Sequence, residues 1–113
     1  MNYGQLKDTL IAKIEQEFYN YKQNLIKNCT PEEIIDKSYE TTFKEEFVSI
    51  LYGLVLGRNE IKALLSTEKP LDKIYKKYEN IETSMLDNMT DITRDILEDI
   101  EKEFIKNKEK ARW

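Results

Sequence analysis

Leu71-Asp-Lys-Ile-Tyr-Lys-Lys-Tyr-Glu-Asn80-Ile-Glu-Thr-Ser-Met-Leu-Asp-Asn-Met-Thr90-Asp-Ile-Thr-Arg-Asp-Ile-Leu-Glu-Asp-Ile100-Glu-Lys-Glu-Phe104 contains neither Gly nor Pro. Its apolar residues recur at Leu71, Ile74, Tyr78, Ile81, Met85, Met89, Ile92, Ile96, Ile100 and Phe104. The mean step is about 3.67 residues, close to the period of a straight α-helix. Pro70 suits the first helical position. The pattern predicts one long helix from Pro70 to about Lys108, kinked along its length. Such a rod would be about 58 Å long at 1.5 Å per residue, more than a 13.5 kDa globule spans. A break at Thr83-Ser84 or at Asn88-Met89-Thr90, with Ser84 or Thr90 as a new cap, is the alternative.

Upstream, the same periodicity returns. Leu6, Leu10, Ile14, Phe18, Tyr21 and Leu25 are spaced by fours and one three, which predicts a helix over Leu6–Lys27. Thr30-Pro31-Glu32-Glu33 then reads as a capping box with Pro at the first position. The second helix is expected to start at Pro31 and to turn Ile34, Ile35, Ser38, Tyr39, Thr42 and Phe43 inward. The apolar stripe of Glu45–Val55 is wide, which predicts a buried helix. That segment either continues the second helix or bends away near Lys44. Gly53 is expected to permit close helix approach. Gly57 is expected to end the helix with a positive φ. Asn59 would cap a short helix from Glu60 to Leu65.

These elements add up to a single all-α domain over residues 1–113, a compact bundle of four to five helices with a long, kinked C-terminal one. Only three Gly and two Pro are present, too few turns for a sandwich or barrel. Histidine is absent and cysteine occurs once. A disulfide framework, a Cys/His zinc site and Ser-His or Cys-His catalysis are therefore excluded. No glycine-rich phosphate loop is present, and no pair of acids stands out as catalytic. No cofactor, metal or catalytic residue is assigned, and the protein is read as no enzyme. Eighteen basic and 22 acidic residues leave a net charge of −4, which points away from direct nucleic-acid binding. No signal peptide and no membrane span are visible, so a cytoplasmic protein is expected. The tyrosines lie mostly on apolar stripes and are expected in the core. Cys29 reads as an inert thiol at a helix junction.

Function is sought where a local rule is broken. Asp87, Asp91, Asp95, Asp99 and Glu103 follow one another at four-residue spacing. Like charges so placed repel by about 0.2–0.5 kcal/mol per pair. Met89 and Ile92 occupy positions that an EF-hand loop starting at Asp87 would reserve for a ligand and a glycine. A di-metal bundle would need histidine. As a nucleic-acid mimic the ladder is sparse, with one charge per about 6 Å against about 3.4 Å along a DNA strand. Two readings remain. The acids form a ridge that docks on a basic protein partner, or they form a solvated face neutralised by Lys7, Lys13 or Lys22. The tail then turns basic at Lys102, Lys106, Lys108, Lys110 and Arg112, as a helix C-terminus favours. Trp113, the only Trp, is a candidate partner anchor.

Three stretches taken together, Thr30–Tyr39, Leu64–Leu71 and Tyr78–Asp87, resemble a small all-α domain family of unknown function from Clostridia-like bacteria and their phages or mobile elements. The resemblance covers roughly Leu10 to Ile100 and carries no catalytic residue over. It implies a protein that binds host machinery such as a restriction or CRISPR nuclease. The expected function is thus a binding module whose acidic helix meets a basic surface, of anti-CRISPR or anti-restriction type. Asp87, Asp91, Asp95, Asp99, Glu103 and Trp113 form its partner-binding set. The alternative is a homodimer paired through the Met85–Phe104 stripe.

Overall fold

The computed structural model describes residues 2–81 and 88–111. Among the described residues the helix signals resolve into six helices, one more than the four to five expected. The helices are α1 (Tyr3–Asn28), α2 (Pro31–Asp36), α3 (Ser38–Gly53), α4 (Arg58–Leu65), α5 (Pro70–Glu79) and α6 (Met89–Ala111). No strand occurs among the described residues, and no helix there is long and apolar enough to cross a membrane.

The start of α1 is closed by a reciprocal pair. Asn2 Oδ1 accepts the Gln5 N–H at 2.9 Å, and Gln5 Oε1 accepts the Asn2 N–H at 3.0 Å. Its four-residue apolar steps place Leu6, Leu10, Ile14, Phe18 and Leu25 in the interior. At α2 the expected capping box is present. Thr30 Oγ1 accepts the Glu33 N–H at 3.2 Å and Glu33 Oε1 accepts the Thr30 N–H at 3.0 Å. Yet α2 lasts only six residues. Lys37, at φ −93° and ψ 6°, breaks the helix seven residues before the bend considered at Lys44.

That break resets the helical phase and corrects the expected inward face. Ile35, Ser38, Tyr39 and Thr42 are exposed; α3 instead buries Lys44, Phe47 and Leu51. The helix ends at Gly53, so Val55 lies outside it and is 74% exposed. Nothing stands within 4 Å of where a Gly53 Cβ would be, so no close approach requires this glycine. Gly57 has φ −70° and serves as the N-cap of α4, not as a left-handed helix terminator. It displaces Asn59 from that role, because the Glu60 carboxylate reaches back to accept the Gly57 N–H at 2.7 Å. Tyr75 is buried, but Tyr19, Tyr39 and Tyr52 are mostly exposed, which corrects the core reading for those three.

Among the described residues the expected C-terminal rod is two helices, and the second begins at the Asn88-Met89-Thr90 break considered above. Asn80 closes α5: its N–H reaches the Lys77 and Tyr78 carbonyls, and its side-chain amide reaches the Lys76 carbonyl at 3.1 Å. At the start of α6, Asn88 Oδ1 accepts the Thr90 N–H at 2.7 Å, so Asn88 caps the helix where Thr90 was considered. Thr83, Ser84 and Met85 lie outside the described residues. Doubling back lets Ile92, Ile96, Leu97 and Ile100 join Leu10, Phe47, Leu64, Leu71 and Ile74 in one core. A continuous rod of about 58 Å would overrun the longest dimension of the fold, 48 Å. α1 packs against α3, α4 and α5, while α6 lies across α4 and α5.

Candidate functional site

The acidic ladder runs along α6, and its members have different surroundings. Lys77 of α5 reaches Asp99 Oδ2 at 2.6 Å and Glu103 Oε1 at 2.7 Å. Lys73, one turn earlier, reaches Glu103 Oε2 at 3.3 Å. Asp99 and Glu103 therefore fasten α6 to α5. Asp91 and Asp95 are exposed and make no ion pair with a described residue. Asp87 and Trp113 lie outside the described residues.

The neutralising lysines are not those of α1. Lys7 donates to the Tyr52 and Leu54 carbonyls, and Lys13 donates to the Leu65 and Thr67 carbonyls at 2.8 and 2.6 Å. Lys22 lies 4.6 Å from the centre of the Phe18 ring. The Lys7 and Lys13 ammonium groups satisfy carbonyls left open at the ends of α3 and α4. Arg94, the one base amid the acids of the ridge, is also engaged within the fold. Its guanidinium donates to the Val55 carbonyl at 2.6 Å and lies 3.5 Å from Glu60. The outer face of α6 is left with Asp91, Asp95 and Glu98, all exposed.

Beside this face, the end of α5 and the middle of α6 enclose a cleft of about 410 Å³. Its walls are Lys77, Asn80, Ile81, Asp95, Ile96 and Asp99. Ile81 is 38% exposed and supplies apolar wall to a cleft that Asp95 and Asp99 also line. The sequence showed Asp95 and Asp99, but not that Ile81 would line a cleft with them.

The most buried polar cluster lies elsewhere, between α1, α3 and α5. Lys44 is 4% exposed. It pairs with Glu40 at 2.7 Å and Asp72 at 3.2 Å, and lies 4.1 Å from the Tyr21 ring centre. Burial works to lower the Lys44 pKa. The hydrogen bonds to Glu40 and Asp72 outweigh it and hold the pKa above 10.5. A lysine held this firmly protonated is a poor nucleophile or base, so this cluster reads as structural. Next to it, the Glu17 carboxylate accepts the Leu71 and Asp72 N–H groups, both at 2.8 Å. It thereby caps α5 from another helix, since Lys69 supplies no side-chain cap. The Glu40–Lys44 pair was open to reading as an i, i+4 pair; its third member, Asp72, lies 28 residues from Lys44. Among the described residues no group of three or more His, Cys, Asp or Glu is gathered as for a metal ion.

Residues 6–104 match the family model described as a protein of unknown function, DUF3848. The chain belongs to this family. The matched span begins at Leu6, the first core residue of α1, and ends at Phe104, which packs against the core from α6. No curated protein and no solved structure matches the chain.

Proposed function

We propose that this protein is a binding module that offers the outer face of α6 to a basic surface on a protein partner. The observation that supports it most is the division of labour along the ladder. Asp99 and Glu103 are neutralised by α5, whereas Asp91 and Asp95 meet solvent beside the cleft at Ile81. A partner arginine or lysine fits that cleft, with its stem on Ile81 and its charge met by Asp95, the lining carboxylate that Lys77 does not hold. The exposed acids would steer the encounter and set register.

The partner class we propose is a host defence nuclease, whose nucleic-acid channel is basic by necessity. The setting is a phage or mobile element of Clostridia-like bacteria, acting in the host cytoplasm. The resemblance of Thr30–Tyr39, Leu64–Leu71 and Tyr78–Asp87 to proteins of that setting supports this step. A homodimer through the C-terminal stripe has less support, because Ile92, Ile96 and Ile100 are buried in the core of the same molecule.

The experiment is affinity capture from host extract with the wild type and with Asp91→Lys/Asp95→Lys. Retention of the nuclease by the wild type, weakened by salt and reduced at least about tenfold by the double reversal, is the expected result. Equal retention by both proteins removes the ridge from the binding surface.

A further inference from the structure

On the α3–α5 side of the molecule, the half-buried rings of Phe43 and Tyr78 pack on the core and continue outward to the exposed ring of Tyr39. Tyr39 and Phe43 lie one turn apart on α3, with ring centres 4.5 Å apart. Tyr78, from the last turn of α5, stacks on Phe43 at 4.8 Å. The Tyr39 and Tyr78 hydroxyl groups are 3.5 Å apart. Tyr39 is 56% exposed, against 6% for Tyr75 one turn before Tyr78. An isolated exposed tyrosine needs no explanation, but Tyr39 is joined to two half-buried rings in one contiguous aromatic patch.

Two exposed acids stand beside this surface. Glu46 continues the Tyr39–Phe43 stripe of α3, seven residues after Tyr39, and is exposed. Glu79 follows Tyr78 and is also exposed. Neither makes an ion pair with a described residue. Burial, the Tyr39 hydrogen bond and nearby charges including Glu46 push the Tyr78 hydroxyl up to about 12, so the phenol stays neutral at physiological pH. Elsewhere in the molecule, aromatic faces already hold cations: Lys44 on Tyr21, Lys22 on Phe18 and Lys108 on Phe104. Among the described residues, none lies over Tyr39, Phe43 or Tyr78.

We infer that the Tyr39–Phe43–Tyr78 surface receives an arginine from a protein partner, its guanidinium stacked on the rings and its charge met by Glu46. The ring faces attract a cation by their quadrupole. A planar guanidinium can stack on a ring and reach a carboxylate at the same time, which an ammonium does less well. The surface lies apart from the Asp95 cleft and does not depend on the reading of that cleft.

The test titrates the full chain with a hexa-arginine peptide and follows tyrosine and phenylalanine ring resonances by NMR. The same peptide with citrulline in place of arginine keeps the shape and removes the charge. Shifts at the Tyr39 and Tyr78 rings with arginine and not with citrulline are expected. So is a two- to fivefold loss of affinity in Tyr39→Leu, about what one exposed cation–π contact is worth. Glu46→Lys, at an exposed position, gives a second reading should Tyr39→Leu alter the circular dichroism; it is expected to weaken binding by at least as much. Asp91→Lys/Asp95→Lys is expected to leave the ring shifts in place, which separates this surface from the ridge. Equal shifts with the citrulline peptide, or unchanged affinity in both Tyr39→Leu and Glu46→Lys, would overturn the inference.

Discussion

Lys77 lies 2.6 Å from Asp99, joining the last turns of α5 to the middle of α6 across the reversal of the chain. The same ammonium also holds Glu103. It is the point at which an acidic ladder, unfavourable within its own helix, becomes a tie between helices. Lys77→Met removes two partly exposed ion pairs, each worth about 0.2–1 kcal/mol. We expect a loss of roughly 0.5–2 kcal/mol in urea unfolding at low salt. Repeating the measurement at about 1 M salt should shrink the difference, because screening acts on the wild-type pairs. A loss that is the same at both salt concentrations would assign the role of Lys77 to packing.

The Lys44 cluster is buried more deeply, and its loss should cost more. Lys44→Met leaves Asp72 without its inter-helix partner, and Glu40 without any, at side-chain exposures of 25% and 30%. Breaking a fully buried pair costs about 3–5 kcal/mol. Partial exposure lets both carboxylates recover some water, so roughly 2–4 kcal/mol is expected here. Denaturant midpoints for wild type and variant decide it, with an unchanged midpoint removing the cluster from the energetics of the fold.

Acid should act on the same ties in two opposite directions. The Lys77 hydrogen bond outweighs burial and, with Lys73, holds Glu103 below its ordinary 4.5. Burial opposes the charged form of Asp72, but hydrogen bonds from Lys76 and Lys44 hold its pKa below 3.8. Both groups contribute stability above their unfolded pKa values, and lose it as pH falls through the folded ones. Glu17 has the opposite sign. Burial raises its pKa above 4.5, against the two backbone N–H groups it accepts and the charge of Lys44. The folded state therefore takes up that proton first, and stability rises as pH falls through the folded value. Thermal unfolding from about pH 7 downward should show a shallow gain before the loss that sets in below about 4.5. Glu17→Gln should remove the gain and leave the loss.

Gly53 offers a stabilising substitution. It is the last residue of α3, exposed, without a positive φ and with open space at the Cβ position. Gly53→Ala should raise stability by about 0.5–1 kcal/mol, mainly by restricting the unfolded chain. A fall in Tm would show that the glycine has a use in the folded state.

Much of this architecture could be read from neighbouring residues. Thr30, Pro31 and Glu33 form a complete cap within four positions, so nothing distant is needed to recognise it. Leu6, Leu10, Ile14 and Phe18 become core residues because one helix face has one burial fate. The break at Asn88-Met89-Thr90 was among the readings of the sequence, but the end of α5 as early as Asn80 was not, for a specific reason. In the sequence, Ile81, Met85 and Met89 continue the apolar step in phase, and periodicity is blind to direction. Gly57 misled in a related way: its composition signal was correct for a helix boundary, but the boundary was the start of α4. Among the acids, Asp91 and Asp99 are indistinguishable by spacing; Lys77 separates them, and it comes from another helix.

The amino-acid sequence determined the helical class, the Thr30 cap with Pro31 behind it, and which residues of α1 and α6 would be apolar core, because these follow from interactions within about four residues along the chain. Tertiary structure decided where α5 turns back, which carboxylates of the ladder are neutralised and which face solvent. It also set the surroundings of Lys44, Tyr39 and Ile81. Those outcomes depend on groups brought together from distant positions, and burial and charge compensation exist only once the helices have packed.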